Sequence, residues 1–414
     1  MAKIQKPKAY PEKLISEGKV TISLPIDEDI EEDKITKRMP VFYNETMTLN
    51  RDLTILMTKI FAELEGREVE FFDSMAASGI RTIRLLRELD CVKHVFINDL
   101  NPTAINYIKS NLMQNNLEAG KYTIFSEDAR SLLHRFRRLR ARKEDSEDIF
   151  CDIIDLDPFG TPSPYIPPAF NSIKIGGMLC VTATDTPVLF GIRKKQCVRK
   201  YITRPIKTDY LKELGTRILI YYIMKIAHIH ELYIEPLLSI SSDHFVRVYL
   251  KIHRGIGGVN RNLDQCGSYI HCNECGYRTT EKFNAKKSKP IEPQCPNCGS
   301  ELIISGLNWL GKLHNKSYQT KLHEKVESPD YSYLPSIRRI KKYIALSKEE
   351  NDFPPYYFVI PRIAGLISTR FPDFDTIMRE LTEKGYSASR THFEPNAIKT
   401  NADITIIKGI LKAF

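Results

Sequence analysis

The most informative chemistry in the chain lies in one short run, Ile153-Ile154-Asp155-Leu156-Asp157-Pro158-Phe159-Gly160. Its first residues read as a buried strand, and an acid, a proline and an aromatic follow at the strand's end. A planar exocyclic amine on a nucleobase delocalises its lone pair into the ring, and must lose that conjugation to attack a methyl group. Asp157 is suited to accept one N–H and the Pro158 carbonyl another. Two acceptors placed this way draw the nitrogen toward tetrahedral geometry and disperse its developing positive charge. Phe159 is suited to stack on the base. The competing reading of the same residues is a tight turn that merely ends the strand.

Acids recur at the ends of the other candidate strands, as Asp73, Asp99 and Asp128. Asp99 follows Asp73 by 26 residues, about where a nucleoside cofactor needs an acceptor for its ribose hydroxyls. Asp128 and Ala129 then fall on the adenine side, with helix capping as the competing role for these acids. The turn over residues 72–81 holds a single glycine, Gly79, and so lacks the dinucleotide fingerprint and the P-loop pattern. A cofactor without a pyrophosphate fits such a turn, and S-adenosylmethionine answers that description.

A third grouping is Cys272-x2-Cys275, nineteen residues, then Cys295-x2-Cys298. This spacing predicts a structural tetrahedral zinc with no open position for catalysis. Gly276 and Gly299 follow the pairs and let the backbone turn toward the sulfurs. A redox pair or an iron–sulfur cluster is the alternative. Of the remaining five cysteines, Cys91, Cys151 and Cys180 stand in apolar surroundings and read as small buried hydrophobes.

These residues need elements to position them. Strand and helix patterns alternate between about 50 and 190: helix 51–64, strand 68–72, helix 78–89, strand 92–97, helix 102–115, strand 122–125, basic helix 131–142, strand 152–156, helix 167–173 and strand 178–182. That alternation predicts an α/β fold, a mostly parallel, doubly wound sheet that binds ligands beyond its carboxyl edge. Residues 1–40 show little periodicity, and the acidic stretch 27–33 reads as a loop or peripheral hairpin. Gly255-Ile256-Gly257-Gly258 reads as a loop or boundary. We therefore expect a catalytic domain over 1–250 and a second domain over 251–414. The latter holds a ribbon at about 266–306 and, at about 330–414, a winged-helix-like module. In that module helices at 360–368 and 374–384 are stopped at Gly385, a wing follows over 386–398, and a last helix lies at 404–411.

Composition bounds the partners. A length of 414 residues suggests about two or three domains. The 42% hydrophobic and 27% charged content excludes a disordered chain. No apolar run reaches the roughly 18 residues of a membrane span; the best, 218–229, is interrupted by Lys225 and His228. No apolar stretch follows Lys3, Lys6 and Lys8, so no secretory signal is expected and the cytoplasm is. The net charge of +10 points to a polyanion, nucleic acid first. The run from Arg130 to Lys143 carries seven of the basic residues, and others cluster at 193–200 and 338–342.

Taken together, these segments resemble one known family. The Asp157-Pro158-Phe159-Gly160 run is similar to the Asp/Asn-Pro-Pro-Tyr/Phe motif of amino methyltransferases. With Val41-Phe42-Tyr43-Asn44, Leu49-Asn50-Arg51-Asp52, Ala77-Ser78-Gly79-Ile80-Arg81, Val181-Thr182-Ala183-Thr184-Asp185, Cys197-Val198-Arg199-Lys200-Tyr201, Gly215-Thr216-Arg217 and Arg390-Thr391-His392-Phe393, it resembles the tRNA (guanine26-N2)-dimethyltransferases. The resemblance spans roughly residues 40–400. It implies a Rossmann-like methyltransferase domain, tRNA as partner with no obligate protein partner, and S-adenosylmethionine as methyl donor. It further implies that Arg51 and Arg81 hold the methionine end, Asp99 the ribose, and Asp128 with Ala129 the adenine. Asp157 becomes the catalytic acceptor, and Phe159 and Phe42 grip a flipped guanine. Two departures touch local tRNA contacts: Glu45-Thr46-Met47 replaces the usual Pro-Arg-x-Met, and Lys212 stands where a histidine is common. Two other functions remain in view on residues alone: adenine-N6 methylation, and non-catalytic nucleic-acid binding by a zinc-containing protein.

Overall fold

The computed structural model describes residues 10–26, 39–141, 151–284 and 292–414. In chain order the elements used below are β1 (Glu12–Glu17), β2 (Val20–Pro25), α1 (Thr48–Glu65), β3 (Val69–Asp73), α2 (Ile80–Glu88), β4 (Val92–Asn98), α3 (Pro102–Gln114), β5 (Tyr122–Phe125), α4 (Ala129–Ala141), β6 (Cys151–Leu156), α5 (Ile166–Ser172), β7 (Ile173–Ala183), α6 (Thr186–Leu189), α7 (Lys194–Tyr201), α8 (Leu211–Ile229), β8 (Leu232–Ser242) and β9 (Phe245–Arg254). Then come α9 (Ile256–Leu263), β10 (Cys266–His271), β11 (Arg278–Lys282), β12 (Ile303–Trp309), α10 (Lys316–Glu327), α11 (Ile337–Glu350), β13 (Phe358–Val359), α12 (Ile360–Leu366), α13 (Phe374–Glu383), β14 (Ala388–Arg390), β15 (Ala397–Thr400) and α14 (Ile404–Leu411). The chain forms two compact units: residues 1–157, 171–173 and 325–340, and residues 158–170, 174–324 and 341–414.

In the first unit β5, β4, β3 and β6 lie side by side, all parallel. β6 is buried along its whole length, as expected of a strand covered on both faces. Phe72 of β3 stands opposite Phe96 of β4 and Ile154 of β6. This register brings Asp73, Asp99 and Asp157 to the same carboxyl edge. The order reverses at β3, with β4 on one side and β6 on the other, so the edge sits at a topological switch point. The hairpin β1–β2, absent from the sequence reading of 1–40, presents Val20, Ile22 and Leu24 inward on alternate residues. Asn111 of α3 docks it by exchanging two hydrogen bonds with the Ser23 backbone, at 2.8 and 3.0 Å. The acidic stretch 27–33 lies outside the described residues.

In the second unit β7 pairs antiparallel with β9, and β9 with β8. β8 and β9 carry too little polar alternation to stand out in sequence, because both are almost wholly buried. The expected loop at 255–258 is a correction: Ile256 to Leu263 is helical. Gly258 serves close packing there, since a Cβ would fall 2.1 Å from the Tyr233 ring. β11, β10 and β12 form the cysteine ribbon. The C-terminal end matches its expected order: α12, α13, the β14–β15 hairpin, then α14. They share a core of Phe358, Ile363, Ile377, Leu381, Ile398 and Ile407. Gly385, at φ 83°, ends α13 as the sequence predicts. Among the described residues no helix is long and apolar enough to cross a membrane.

Candidate active site

The carboxyl edge of the parallel strands is built by local bonds that leave little freedom. Asn98, the last residue of β4, donates to the carbonyls of Ser74 and Glu127, both at 3.0 Å, and accepts from the Glu127 amide at 3.1 Å. One side chain thus ties the loops after β3 and β5 together. The turn after β3 passes through left-handed backbone at Ala77 (φ 51°) and Gly79 (φ 77°). At Gly79 a Cβ would come within 2.9 Å of the Ile108 side chain, which explains the turn's one glycine.

Asp99 projects from this edge half-buried. Its carboxylate accepts from the amides of Ala77 and Asn101, both at 2.8 Å. Burial pushes its carboxyl up, and these two bonds oppose that rise. Asp128 does what the competing reading anticipated: it caps α4, accepting from the amides of Arg130 and Ser131 at 3.1 Å, and it pairs with the Arg130 side chain. That Arg130 bond holds its carboxyl below the usual range. Ala129, beside it, is buried.

Arg81 is the centre of the edge. Its side chain is only 8% exposed and pairs with Asp157 through Nη2 and with Asp155 through Nη1, the latter at 3.3 Å. Nη1 also donates to Asn50 (3.0 Å) and Thr54 (2.7 Å) of α1. Asp73 stands fully buried beside this group. Burial pushes its carboxyl up to about 7, with Asp155 and Asp157 adding to the rise and Arg81 opposing it. A carboxyl in that position shares the proton economy of the cluster, because three carboxylates face one guanidinium.

Arg51, expected on the cofactor, is bonded to Glu17 of the hairpin, at 2.7 Å from Nε and 2.5 Å from Nη2. Arg84, one turn beyond Arg81, pairs with Glu17, Asp52 and Glu88 at 2.7–2.8 Å with all four side chains buried. Sequence reasoning missed this network. The alternation of Val20, Ile22 and Leu24 was the signal that could have revealed the hairpin carrying Glu17. Phe42 lies half-buried ahead of α1. Pro158 is buried and Phe159 is 45% exposed. The turn after them is pinned by Gly160 and Thr184, whose backbone and hydroxyl groups exchange bonds of 2.7 and 2.9 Å.

The profile of the family described as N2,N2-dimethylguanosine tRNA methyltransferase matches residues 18–412. The chain belongs to this family. A relative from Methanobrevibacter smithii, named tRNA (guanine(26)-N(2))-dimethyltransferase, is 36% identical over 405 residues, covering 98% of both chains. One from Aquifex aeolicus, named tRNA (guanine(26)-N(2)/guanine(27)-N(2))-dimethyltransferase, is 32% identical over 89% of this chain and 88% of its own. A solved structure, described as Trm1 from Pyrococcus horikoshii in complex with S-adenosyl-L-methionine, superposes with a TM-score of 0.79 at 28% identity, covering 96% of this chain and 99% of that one. The fold is thus that of an α/β methyltransferase.

The second unit holds the thiol cluster of this family member. Sγ atoms of Cys272, Cys275, Cys295 and Cys298 all lie within 4.8 Å of one another, with 3.5 Å between Cys272 and Cys298 and between Cys275 and Cys295. Tetrahedral zinc at about 2.3 Å from each sulfur needs edges of about 3.8 Å, so the donor set fits zinc. Each knuckle closes through glycine: Gly276 (φ 77°) donates to the Cys272 carbonyl and Gly299 (φ 72°) to that of Cys295. Lys408 of α14 binds the Cys275 carbonyl at 2.7 Å, seating the ribbon on the C-terminal module. His314, Glu350 and His392 also converge, fully buried. There Glu350 is already bonded to the His392 ring and amide and to the Thr391 hydroxyl. Burial, with the charges of His392, Lys399 and Arg217, pushes His314 down to about 3, so this surrounding disfavours a cation.

Proposed function

We infer that the chain transfers methyl groups from S-adenosylmethionine to the exocyclic N2 of guanosine 26 in tRNA, giving N2-methylguanosine and then N2,N2-dimethylguanosine. The observation that carries this reading is the carboxylate Asp157 at the end of β6, held by a buried guanidinium at a switch point of the sheet, in a chain whose family and full-length relatives bear that activity. The donor set at the edge suits the cofactor. It offers a carboxylate beyond β4 for a ribose and a glycine turn without a phosphate cradle. When bound, S-adenosylmethionine supplies an electrophilic methyl group on a sulfonium.

The chain's own residues supply the rest. Arg51 and Arg81 take the methionine carboxylate, Asp99 the ribose hydroxyls, and Asp128 with Ala129 the adenine. In the first transfer Asp157 and the Pro158 carbonyl accept hydrogen bonds from the two N–H groups of the guanine amine, which localises the lone pair on nitrogen; in the second the one remaining N–H faces Asp157, and each methylated nitrogen gives up its proton to that carboxylate or to water. Phe159 and Phe42 grip the flipped base. Flipping costs stacking energy, and phosphate contacts offset it. We assign those contacts to the basic run Arg130–Lys143 and to a tRNA-binding domain over 251–414, distinct from the methyltransferase domain over 1–250. Of that run, the side chains beyond Phe136 lie outside the described residues, and Arg135 is paired with Glu127 at 2.7 Å. Cys272, Cys275, Cys295 and Cys298 hold a structural zinc that stiffens the second domain. A tRNA substrate carries the expectation of a cytoplasmic enzyme.

Nucleoside mass spectrometry of an unmodified tRNA transcript incubated with protein and S-adenosylmethionine tests the reading. Guanosine gaining one and then two methyl groups, matched to N2 standards, is the expected result. Methyladenosine, or no methylated nucleoside at all, overturns it.

A further inference from the structure

One nitrogen at the edge has two claimants. Arg81 Nη2 is bonded to Asp157, the group that must face the guanine amine, yet the same arginine is one of the two assigned above to the methionine carboxylate of the cofactor. Its other terminal nitrogen is occupied by Asn50, Thr54 and Asp155. Those partners are buried, and Asp155 is wholly so, whereas Asp157 is 17% exposed and is the partner on the open side. A carboxylate arriving at Arg81 therefore meets Nη2 while it holds Asp157.

Charge decides what happens next. Burial pushes the Asp73 carboxyl up to about 7, so it adds less negative charge here than an ordinary aspartate. Asp155 and Asp157 remain against one guanidinium. A third carboxylate on the same cation, at low dielectric, is unfavourable unless one of them leaves. Asp157 is the one with access to solvent and to substrate.

We propose that Arg81 is a carboxylate-exchange switch: without cofactor it clamps Asp157, and it releases Asp157 to the target amine when its guanidinium takes the methionine carboxylate. This rests on the methyltransferase reading above. A clamped Asp157 has one oxygen engaged and its charge offset, which makes it a poor acceptor for a guanine N–H. A released Asp157 is a free acceptor. Capture of the base is thereby coupled to the carboxylate end of the cofactor, not to its adenosine end, and the order of binding is cofactor first. Arg81 acts here through Asp157, as a positioning residue.

The test uses a tRNA transcript with 2-aminopurine at position 26, which keeps the exocyclic amine and fluoresces when unstacked. Base capture is titrated with wild-type protein saturated either with S-adenosylhomocysteine, which has the carboxylate but no methyl to transfer, or with 5′-methylthioadenosine, which lacks the amino-acid tail. Capture at least about tenfold tighter with S-adenosylhomocysteine is expected, within the range of ordinary coupling. In Arg81→Gln the two ligands should give the same capture affinity, with methylthioadenosine binding by calorimetry showing that the site is folded. Equal capture with both ligands in the wild type overturns the switch and needs no variant. If that equality is found while the wild type still dimethylates guanosine, the switch alone is wrong. If the wild type methylates no guanosine, the reading beneath it fails as well.

Discussion

At the sheet edge Arg81 gathers Asn50 and Thr54 from α1 and Asp155 and Asp157 from the end of β6. In the ribbon four thiols come from two glycine knuckles within residues 272–298. The ribbon closes on itself: every donor points at one spot, the backbone bonds of each knuckle are made inside it, and no position is left for a substrate. The edge does the opposite. It holds more carboxylates than cations, keeps one acid protonatable near neutral pH, and presents the partner of its arginine toward solvent. One region uses convergence for stability and the other keeps an electrostatic imbalance that a charged ligand resolves.

This contrast is sharpened most by breaking the thiol set. Cys275→Ser should lower bound zinc from about one per chain to near zero by plasma mass spectrometry. It should also destabilise the second unit heavily, since structural zinc contributes on the order of 10 kcal/mol to small domains. Unchanged thermal unfolding after metal loss would place the ribbon outside the stabilising framework. Next comes Arg84, the closed counterpart of Arg81. Arg84→Met leaves Asp52 and Glu88 buried without their cation and Glu17 with Arg51 alone, and should cost about 3–5 kcal/mol in denaturant unfolding. A loss below 1 kcal/mol would mean that the network is not closed.

A pH series isolates the hairpin anchor. Burial alone would raise the Glu17 carboxyl, but the bonds and charges of Arg51 and Arg84 pull it down to about 2 from an ordinary 4.5. A carboxyl depressed on folding stabilises above its unfolded value and loses that contribution as pH falls through its folded value. The stability advantage of wild type over Glu17→Gln should therefore be full above about pH 4.5 and vanish toward pH 2, read from urea midpoints. An advantage independent of pH would contradict the pairing. The smallest effect belongs to Phe159. Removing its ring in Phe159→Ala should cost about 1–3 kcal/mol of base stacking, seen as a fall in kcat/KM for tRNA with cofactor binding unchanged.

The two regions also differ in how they could be read from the amino acids. The thiol cluster was legible because its four cysteines are local and their spacing lets two knuckles bring the sulfurs together. The parallel strands were legible because apolar runs alternate with helical spacing, and the boundaries from β3 to β6 fall within one or two residues of their expected places. The acids at the strand ends followed from that frame. Partnerships across long separations did not. Glu17 meets Arg84 across 67 residues and Glu350 meets His392 across 42, with no periodicity to announce either. Asp128 was placed correctly at the edge, but whether it caps or contacts a ligand depends on Arg130 and Ser131, and the alternatives share one sequence. Gly258 misled because a glycine needed for close packing looks the same as one needed for a turn.

The most direct test of the central claim is a comparison of wild type with Asp157→Asn on the same tRNA transcript. Methyl incorporation into guanosine is followed by nucleoside mass spectrometry, and cofactor and tRNA binding are measured alongside. The account predicts a fall of about 10²–10³-fold in methyl transfer, with both binding affinities within a few-fold of wild type. Full activity in the variant, at unchanged binding, would contradict it.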